Sequence, residues 1–547
     1  MALTTIDTAK KFFCVSPEQR IENHKSLLAS ISNQAAKSKL LYGENFPIIS
    51  NPEDMSGLPI LTTDQIKRTF SENNPESVLN TPHMYCWKTS GYSGVSKTFY
   101  YSQEDAYVFA DIWAAYAWLT GVRSNSSFWN FGSKRPMVSG ELLELVKKRF
   151  ITSGEIYTPI KNGMDFVTAL KKASKSTGAD VIAGPTIAYY LICRAVRDNH
   201  YMHESVQRVL KNDMHLPAFL AKQVAKVVLA GFNSKKLVRA MEHMYRGFSY
   251  AEPLSSYIEM IHEHFPNLTM YDVYGSTEVP IIGATLNKTD DALALLMPAL
   301  FAELADPLEI YKAKKNPGYG VQTIPWYKWK KGMTGELVIS RPGTALPLFR
   351  YATGDLLEIV EPIRLFVPET AVLYPEELSE PVPAPAIRVI ARSADAIDFE
   401  TDEEMGSFMG KKIYTPQIQQ AILSLQNIAW WELFRVRKGD KGPGALIFLI
   451  YPVDIPVDVA GFAAQVREVL MYKTHDETDT IKSADSMGLL EIRITHPEAF
   501  NEIQSEIMQK IDSTSSLGQL KPRHIFTVED RIDFSRKASR KLVKALK

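Results

Sequence analysis

Nine consecutive residues, TSGYSGVSK from Thr89 to Lys97, carry four serine or threonine hydroxyls, two glycines and a terminal lysine. Backbone N–H groups that converge on anionic oxygens bind phosphate well, and glycines permit the close approach that this requires. Hydroxyls add donors, and the lysine adds positive charge. The segment therefore predicts a phosphate-binding loop, although Val95 and Ser96 stand where a Walker loop has its glycine and the residue before it. A polar surface turn is the alternative interpretation.

Four further segments combine charged or hydroxyl residues with glycines or short apolar runs. Each also has a purely structural interpretation: a helix N-cap for YGSTE, a β-turn for LFRYATGD, a surface ion pair for ARSAD and a solvated helix for FSRKASRK. In chain order they are YGSTE (Tyr274–Glu278), LFRYATGD (Leu348–Asp355), ARSAD (Ala391–Asp395) and FSRKASRK (Phe534–Lys541).

The order and composition of these five segments resemble the motifs of the adenylate-forming superfamily. That superfamily includes acyl-CoA synthetases, firefly-luciferase-like enzymes and nonribosomal-peptide adenylation domains. Within it, the chain is most similar to the phenylacetate-CoA ligase branch, through GPTIAYYL, MPALFAELADP and GKKIYTPQIQQAIL. The resemblance runs from about Thr81 to the C-terminus, and it implies that ATP and Mg²⁺ activate a carboxylic acid as an acyl-adenylate.

The resemblance also implies a nucleotide site. Asp355 would accept both ribose hydroxyls, because a carboxylate can accept two hydrogen bonds at once, and Arg392 would reach the ribose or a phosphate. Glu278 would hold Mg²⁺, which prefers carboxylate oxygen, and Thr277 would bind the α-phosphate. The other implied ATP-binding residues are Ser90, Gly91, Ser93, Gly94 and Lys97 around the β- and γ-phosphates, Tyr274 against the adenine, and Gly275 and Ser276 of the same segment.

In the terminal segment, Lys537 is the implied catalytic lysine that enters the site during adenylation. Its register depends on the similarity of KASR to the superfamily's G-K-x-x-R pattern. Because Arg536 replaces the glycine, Lys541 remains a rival. Asp395 is the implied hinge about which the C-terminal domain rotates.

The acid would occupy a pocket formed by three segments. Aromatic side chains in two of them favour an apolar or aromatic acid, and ordinary core packing is the alternative for each. The superfamily often has a Gly-Glu pair where the third segment reads Gly-Phe, so the pocket is less well defined than the ATP site. The implied pocket residues are Trp129, Phe131, Pro185, Gly231 and Phe232.

The rest of the chain predicts an α/β fold in two domains. Short apolar runs ended by glycine or proline, as in ADVIAGP, KVVLAGF and TMYDVYG, alternate with helical patterns and predict a largely parallel sheet. A proline-rich segment after Lys314 indicates a β-rich subdomain. We therefore expect residues 1–394 to form a large multi-layer adenylation core with parallel-type sheets, and residues 395–547 to form a small mobile α+β domain that carries the catalytic lysine.

The composition limits the classes of molecule that we expect the protein to bind. With 62 basic and 62 acidic residues in 547, the chain has no general attraction for nucleic acid, and its three cysteines lie far apart. The start of the chain lacks a signal-peptide pattern, and the most apolar stretch, AYVFADIWAAYAWLTGV, predicts a buried helix and not a membrane span. We expect a cytoplasmic ligase, with a homodimer compatible with the sequence. It would transfer the acyl group to coenzyme A, or alternatively to an amine or a carrier protein. A non-catalytic nucleotide-binding relative is a third interpretation.

Overall fold

The computed structural model of the chain describes most of the first 392 residues and parts of the remainder. The described residues are 5–88, 97–133, 137–150, 163–175, 178–197, 203, 206–207, 218–230, 232–251, 254–392, 397–398, 412–413, 418, 421–422, 424–425, 427–436, 445–473, 480–486, 488, 490–496 and 525–527.

Helices and strands alternate along the first half of the chain, and strands dominate the middle. The helices are α1 (Thr5–Phe13), α2 (Pro17–Ala35), α3 (Lys39–Tyr42), α4 (Thr63–Glu72), α5 (Pro75–Val78), α6 (Gln103–Leu119), α7 (Val138–Arg149), α8 (Gly163–Ala173), α9 (Thr186–Arg197), α10 (Ala218–Val228), α11 (Ser234–Glu242), α12 (Ile258–His264), α13 (Pro307–Lys315), α14 (Glu369–Leu373), α15 (Val459–Lys473) and α16 (Thr480–Ser486), with 3-10 turns at Pro52–Met55, Leu254–Ser256 and Trp326–Lys328.

The strands are β1 (Tyr85–Lys88), β2 (Thr98–Tyr101), β3 (Phe128–Asn130), β4 (Val181–Pro185), β5 (Arg246–Tyr250), β6 (Thr269–Tyr274), β7 (Gly283–Ala284), β8 (Leu293–Leu295), β9 (Phe301–Ala305), β10 (Thr323–Pro325), β11 (Thr334–Arg341), β12 (Leu348–Phe366), β13 (Val382–Arg392), β14 (Ile397–Asp398), β15 (Lys412–Ile413), β16 (Ile428–Val436), β17 (Ala445–Pro452), β18 (Leu490–Ile494) and β19 (Ile525–Thr527).

One 11-stranded sheet dominates, in the order β10-β9-β11-β12-β13-β8-β7-β6-β5-β4-β3. The strands β3, β4, β5 and β6 pair in parallel. From β6 onward the assigned registers are antiparallel. Parallel pairing is therefore restricted to the part of the sheet whose strands alternate with helices, and the expectation of a largely parallel sheet is correct only there.

Both faces of the parallel part are covered, as parallel sheets require. On β6, Tyr271 and Val273 join a hydrophobic cluster that includes the aromatic side chains of α6. Met270 faces the other way and joins a second cluster with residues of α8, α9, α10 and α11. The predicted burial of the aromatic-rich segment is confirmed by α6, where Trp113, Tyr116 and their neighbours lie inside the first cluster.

A second compact unit follows the first, with the boundary between Val389 and Ile390 inside β13. Its four-stranded sheet has the order β18-β17-β16-β19 and packs Trp431 and Phe448 against Val466 of α15. The predicted α/β class, with a large sheet and a separate smaller C-terminal sheet region, is confirmed. The assignment of roles to residues 1–394 and 395–547 stays a prediction, and so does the mobility of the second unit.

One predicted strand is wrong. The apolar run KVVLAGF lies at the end of α10, because its first three residues complete an amphipathic helix. The strand that actually fills this place in the sheet is β5, with the sequence RGFSY. The predicted strands in ADVIAGP and TMYDVYG are confirmed as β4 and β6. Among the helices that the structure describes, none combines the length and apolarity needed to cross a lipid bilayer.

His24 of α2 is a buried histidine whose protonation is coupled to folding. The indole N–H of Trp326 donates to its Nδ1 (2.9 Å), so the ring proton lies on Nε2, which donates to the carbonyl of Met297 (3.2 Å). Burial lowers the pKa of His24 to about 4 despite the Met297 bond, and the charge of Arg20 adds to the decrease.

We expect the wild-type protein to lose about 2–3 kcal/mol of unfolding free energy through His24 as pH falls from 7 to 4.5. The pKa is lower in the folded state, so protonation favours unfolding once pH drops below the unfolded value near 6.5. Urea unfolding of wild type and His24→Gln at both pH values measures this contribution. The variant should lose correspondingly less stability between the two pH values; parallel losses would contradict the assignment.

Candidate active site

The carboxyl ends of β3 to β6 lie at one edge of the sheet, where parallel α/β folds bind ligands. β6 ends at Tyr274, and the chain then turns through Gly275 to Pro280 before it pairs back as β7. A Cβ on Gly275 would lie 2.4 Å from the carbonyl oxygen of Pro280. Only glycine therefore fits this turn without moving the backbone.

The turn contains the YGSTE segment. The backbone N–H of Ser276 donates to the carbonyl of Val279 (2.8 Å), and the N–H of Val279 donates back to Ser276 Oγ (3.2 Å). No helix begins in these described residues, so the N-cap interpretation is wrong. The segment is a compact turn that presents Thr277 and Glu278.

Two buried side chains clamp the backbone of that turn. The Tyr101 hydroxyl lies 2.6 Å from the carbonyl oxygen of Thr277 and 2.8 Å from that of Glu278. Arg341 Nε donates to the same Glu278 carbonyl (2.7 Å), and its guanidinium lies over the Tyr101 ring at 4.7 Å. Tyr101 and Arg341 are fully buried. They hold the two predicted catalytic residues of the turn through main-chain atoms.

The Glu278 carboxylate belongs to a cluster of four polar side chains. Lys97 Nζ lies 3.1 Å from Glu278 Oε1 and 3.1 Å from Thr63 Oγ1. The Tyr351 hydroxyl lies 2.8 Å from the same Glu278 oxygen, 3.3 Å from Lys97 Nζ and 3.0 Å from Thr63 Oγ1. Three distant parts of the sequence thus meet the YGSTE turn at one point.

The cluster keeps its charges separated from solvent. The side chains of Lys97 and Glu278 are 14% and 6% exposed. Burial opposes ionisation of Glu278, but the Lys97 charge and the Tyr351 hydrogen bond outweigh it, so the pKa of Glu278 lies below its ordinary value. Burial and the Glu278 charge raise the pKa of Tyr351 well above its ordinary value. Glu278 is therefore a carboxylate and Tyr351 a neutral phenol at neutral pH.

Glu278 fits the predicted role of a magnesium ligand. In the part of the chain that the structure describes, both side-chain hydrogen bonds to this carboxylate end on Oε1, which leaves Oε2 for a cation. The same described residues contain no group of three or more histidine, cysteine, aspartate or glutamate side chains placed to hold a metal. A single carboxylate such as Glu278 is compatible with Mg²⁺, which commonly binds through one or two carboxylates together with substrate phosphates.

The LFRYATGD segment forms the first part of β12. Three of its residues, Thr353 to Asp355, lie opposite the single residue Leu337 of β11, which makes an irregular bulge with two extra residues on β12. Gly354 has φ +81°, a left-handed conformation that favours glycine. Thr353 Oγ1 donates to the Leu337 carbonyl and accepts from the Asp355 N–H. The β-turn interpretation is wrong, because this glycine shapes a bulge inside a continuous strand.

The bulge directs Asp355 toward the end of β6. The Tyr274 hydroxyl donates to Asp355 Oδ2 (2.7 Å), and the carboxylate is buried. The structure therefore joins the predicted adenine-binding and ribose-binding residues directly. Asp272, two residues earlier on the same strand, accepts from the Leu254 N–H, and burial raises its pKa to about 7.

The predicted acid-pocket residues do not all lie where the sequence placed them, at the carboxyl ends of strands. Trp129 of β3 and Phe131, which directly follows that strand, are buried in the second hydrophobic cluster with ring centroids 6.3 Å apart, and Pro185 is the last residue of β4, the strand paired with β3. Phe232 follows α10, and its N–H donates to the Leu229 carbonyl. The strand assumed before Gly231 and Phe232 is a helix end, so the premise that placed Phe232 at a strand's carboxyl end is wrong.

Several predicted residues lie outside the described residues: Ser90, Gly91, Ser93, Gly94, Gly231, Asp395, Lys537 and Lys541. Arg392 is the last residue of β13, and only its backbone is described. Their roles remain predictions.

Sequence reasoning missed four residues that shape the site: Thr63, Tyr101, Arg341 and Tyr351. Tyr351 lies within the quoted LFRYATGD segment, so the motif itself could have indicated that this residue is near the site. Thr63 stands in an ordinary helix-start pattern, and Tyr101 and Arg341 lie in strands, where buried polar side chains have no local signature.

No protein-family model matches the sequence, and no curated protein matches it. Solved structures do match over nearly the whole chain. The GH3.15 acyl acid amido synthetase in complex with 2,4-DB has a TM-score of 0.63 at 13% identity, covering 99% of this chain and 95% of that chain. A 2-hydroxyisobutyryl-CoA ligase in the postadenylation state, in complex with 2-HIB-AMP, has a TM-score of 0.60 at 13% identity, covering 98% and 94%.

The same ligase in complex with 2-HIB-AMP and CoA, in the thioesterification state, has a TM-score of 0.52 at 13% identity, again covering 98% of this chain and 94% of that chain. At such low identity these similarities establish the fold. The chain therefore has the fold of the adenylate-forming enzymes.

Proposed function

We propose that the protein is an adenylate-forming ligase that activates a carboxylic acid with ATP. The acid's carboxylate oxygen attacks the α-phosphorus of ATP, the bond to the β-phosphate oxygen breaks, and pyrophosphate leaves. An acyl-adenylate remains, and an incoming nucleophile displaces AMP from its carbonyl carbon. The observation that carries this proposal is the cluster of Lys97, Glu278 and Tyr351, next to the turn whose strand also holds Asp355 through Tyr274.

Each residue of this site would bind a different part of the nucleotide or the cation. Lys97 would turn its ammonium toward the β- and γ-phosphates, where the glycine-rich segment before it would supply N–H donors. Glu278 would hold Mg²⁺, which as a Lewis acid would neutralise charge on the phosphate oxygens. Thr277 would donate to the α-phosphate, and the clamp on its carbonyl oxygen would keep it in place. Asp355 and Tyr274 would hold the ribose and the adenine.

Coenzyme A is the first candidate acceptor, since CoA ligases share the fold and the sequence resembles the phenylacetate-CoA ligase branch. The fold similarity to an acyl acid amido synthetase favours a second candidate, transfer to an amine. A carrier protein is a further alternative. The proposed acid is apolar or aromatic because the segments implied to form the pocket carry Trp129, Phe131 and Phe232; the first two are packed in the second hydrophobic cluster, as core residues would also be.

An ATP–pyrophosphate exchange screen over carboxylic acids tests the proposal, because it requires the first half-reaction alone. Apolar and aromatic acids should stimulate the exchange, and AMP with pyrophosphate should be the products. Active acids are then incubated with CoA and with amines to identify the acceptor. Formation of ADP and phosphate with every active acid would contradict the proposal.

Asp355→Ala should lower ATP affinity at least tenfold while the protein stays folded. The carboxylate would accept two ribose hydroxyls, and hydrogen bonds to a charged group contribute about 1.5–3 kcal/mol each. Calorimetric titration with ATP measures the change, and the melting temperature reports on folding. Unchanged ATP binding in a folded variant would restrict Asp355 to shaping the bulge of β12.

A further inference from the structure

The Tyr351 hydroxyl contacts the other three residues of the cluster, Glu278, Thr63 and Lys97. Which of these neighbours donates and which accepts can be assigned. A neutral phenol has one proton, and Glu278 Oε1, a carboxylate oxygen at 2.8 Å, can only accept it. Tyr351 therefore accepts from its other neighbours. Thr63 must donate to Tyr351 across 3.0 Å, while its own oxygen accepts from Lys97. The result is a directed chain from Thr63 through Tyr351 to Glu278.

The backbone holds Tyr351 in this orientation. Phe349 and Arg350 lie opposite the single residue Ser340, a bulge in which Arg350 has φ +50°. Few non-glycine residues adopt that conformation, and bulges redirect side chains next to functional sites. The buried Arg350 guanidinium donates to Thr323 Oγ1 (2.8 Å) and lies 3.5 Å from the Glu303 carboxylate.

Thr63, where the hydrogen-bond chain begins, is anchored to the same strand through Leu61, two residues before it. Leu61 donates its N–H to the Arg350 carbonyl (2.9 Å) and accepts from the Ala352 N–H (3.0 Å), on both sides of Tyr351. Thr63 begins α4 directly after Thr62, whose side chain accepts from the Gln65 N–H in a capping box. The Thr63 hydroxyl is thus held at a fixed position beside Tyr351 and does not depend on Lys97 for its placement.

We propose that Thr63 and Tyr351 are positioning residues that hold Glu278 ready for a divalent cation while Lys97 changes partner. In the structure, Lys97 forms an ion pair with the Glu278 carboxylate. The proposed function, on which this inference rests, requires Lys97 to leave for the phosphates of ATP. The hydrogen-bond chain from Thr63 to Tyr351 to Glu278 needs no atom of Lys97, so it would persist after Lys97 leaves and would keep the Glu278 carboxylate in place to hold the cation.

The test is calorimetric titration of the whole protein with ATP, with MgCl₂ absent and then present. The readout is the ratio of ATP affinity with and without Mg²⁺: Tyr351→Phe should lose about tenfold or more of the wild-type gain in affinity that Mg²⁺ provides, because Glu278 loses a hydrogen bond to its charged form. Thr63→Val, which removes a hydroxyl one step away, should lose about two- to fivefold, and Thr63→Ser should restore the gain.

Tyr116→Phe is the matched control, because it removes another buried tyrosine hydroxyl, bonded to the Thr285 carbonyl at 3.1 Å, outside this cluster. It should match wild type. A wild-type gain from Mg²⁺ in both Tyr351→Phe and Thr63→Val would overturn the inference and leave Tyr351 a packing residue. Failure of the wild-type protein itself to bind ATP under either condition would instead overturn the proposed function, and the inference with it.

Discussion

Glu278→Gln should slow ATP–pyrophosphate exchange by about 10²–10³-fold, the usual loss when a group aimed at developing charge is removed. The amide keeps the shape of the side chain and can still accept from Tyr351. It removes the negative charge that would hold Mg²⁺ and that now attracts Lys97 across 3.1 Å. Exchange assayed with an active acid at saturating ATP measures the loss.

Destabilisation could lower the exchange rate by another route, because removing one partner of a buried ion pair leaves the other charge uncompensated. Glu369→Gln provides the matched control: Glu369 is similarly buried, and its Oε1 lies 3.8 Å from Arg246 Nη2, outside the site. Both variants should show comparable decreases in melting temperature, and only Glu278→Gln should lose exchange. Equal losses of exchange would assign the Glu278 effect to stability.

Lys537→Ala should slow acyl-adenylate formation by about 10²–10³-fold and leave the second half-reaction at a near-normal rate. The transferring phosphoryl group would lose a cation aimed at its developing charge, whereas displacement of AMP by the acceptor makes no use of that cation. Single-turnover assays separate the steps: ATP with the acid for the first, presynthesised acyl-adenylate with the acceptor for the second.

Lys541→Ala is the matched control, because it removes the same charge four residues later in the same segment. If Lys541→Ala shows the step-specific loss instead, the register of the terminal motif is wrong and the mechanism is retained. Equal slowing of both half-reactions by Lys537→Ala would mean that the lysine is not specific to one step. Asp395→Pro, which would restrict the proposed hinge, should preserve one half-reaction and impair the other.

Strands of the parallel sheet were predictable where burial is expressed in local sequence. β4 and β6 are apolar runs ended by a proline or followed by a glycine, and both were found. β5 was missed because its buried Arg246 is paired with Glu369 and with the Thr120 carbonyl, contacts that no local pattern shows. The apolar end of α10 took its place in the prediction, since a run of four apolar residues fits a helix end equally well.

The candidate site was predictable to the extent that it consists of short motifs. Lys97, Glu278 and Asp355 were identified through segments whose composition indicates their chemistry. Thr63 and Arg341 reach the site only through the fold, across sequence separations that composition does not encode. Whether a glycine shapes a turn or a bulge also depends on the partner strand, which explains the wrong alternative for Gly354.

The two bulges of β12 also restrict how this part of the protein can evolve. Side chains alternate between the faces of a strand, so inserting or deleting one residue between Tyr351 and Asp355 would send one of them to the opposite face. Substitutions leave that spacing intact, whereas length changes do not. Relatives that retain the site should therefore vary freely in the length of their surface loops, yet keep three residues between this tyrosine and this aspartate.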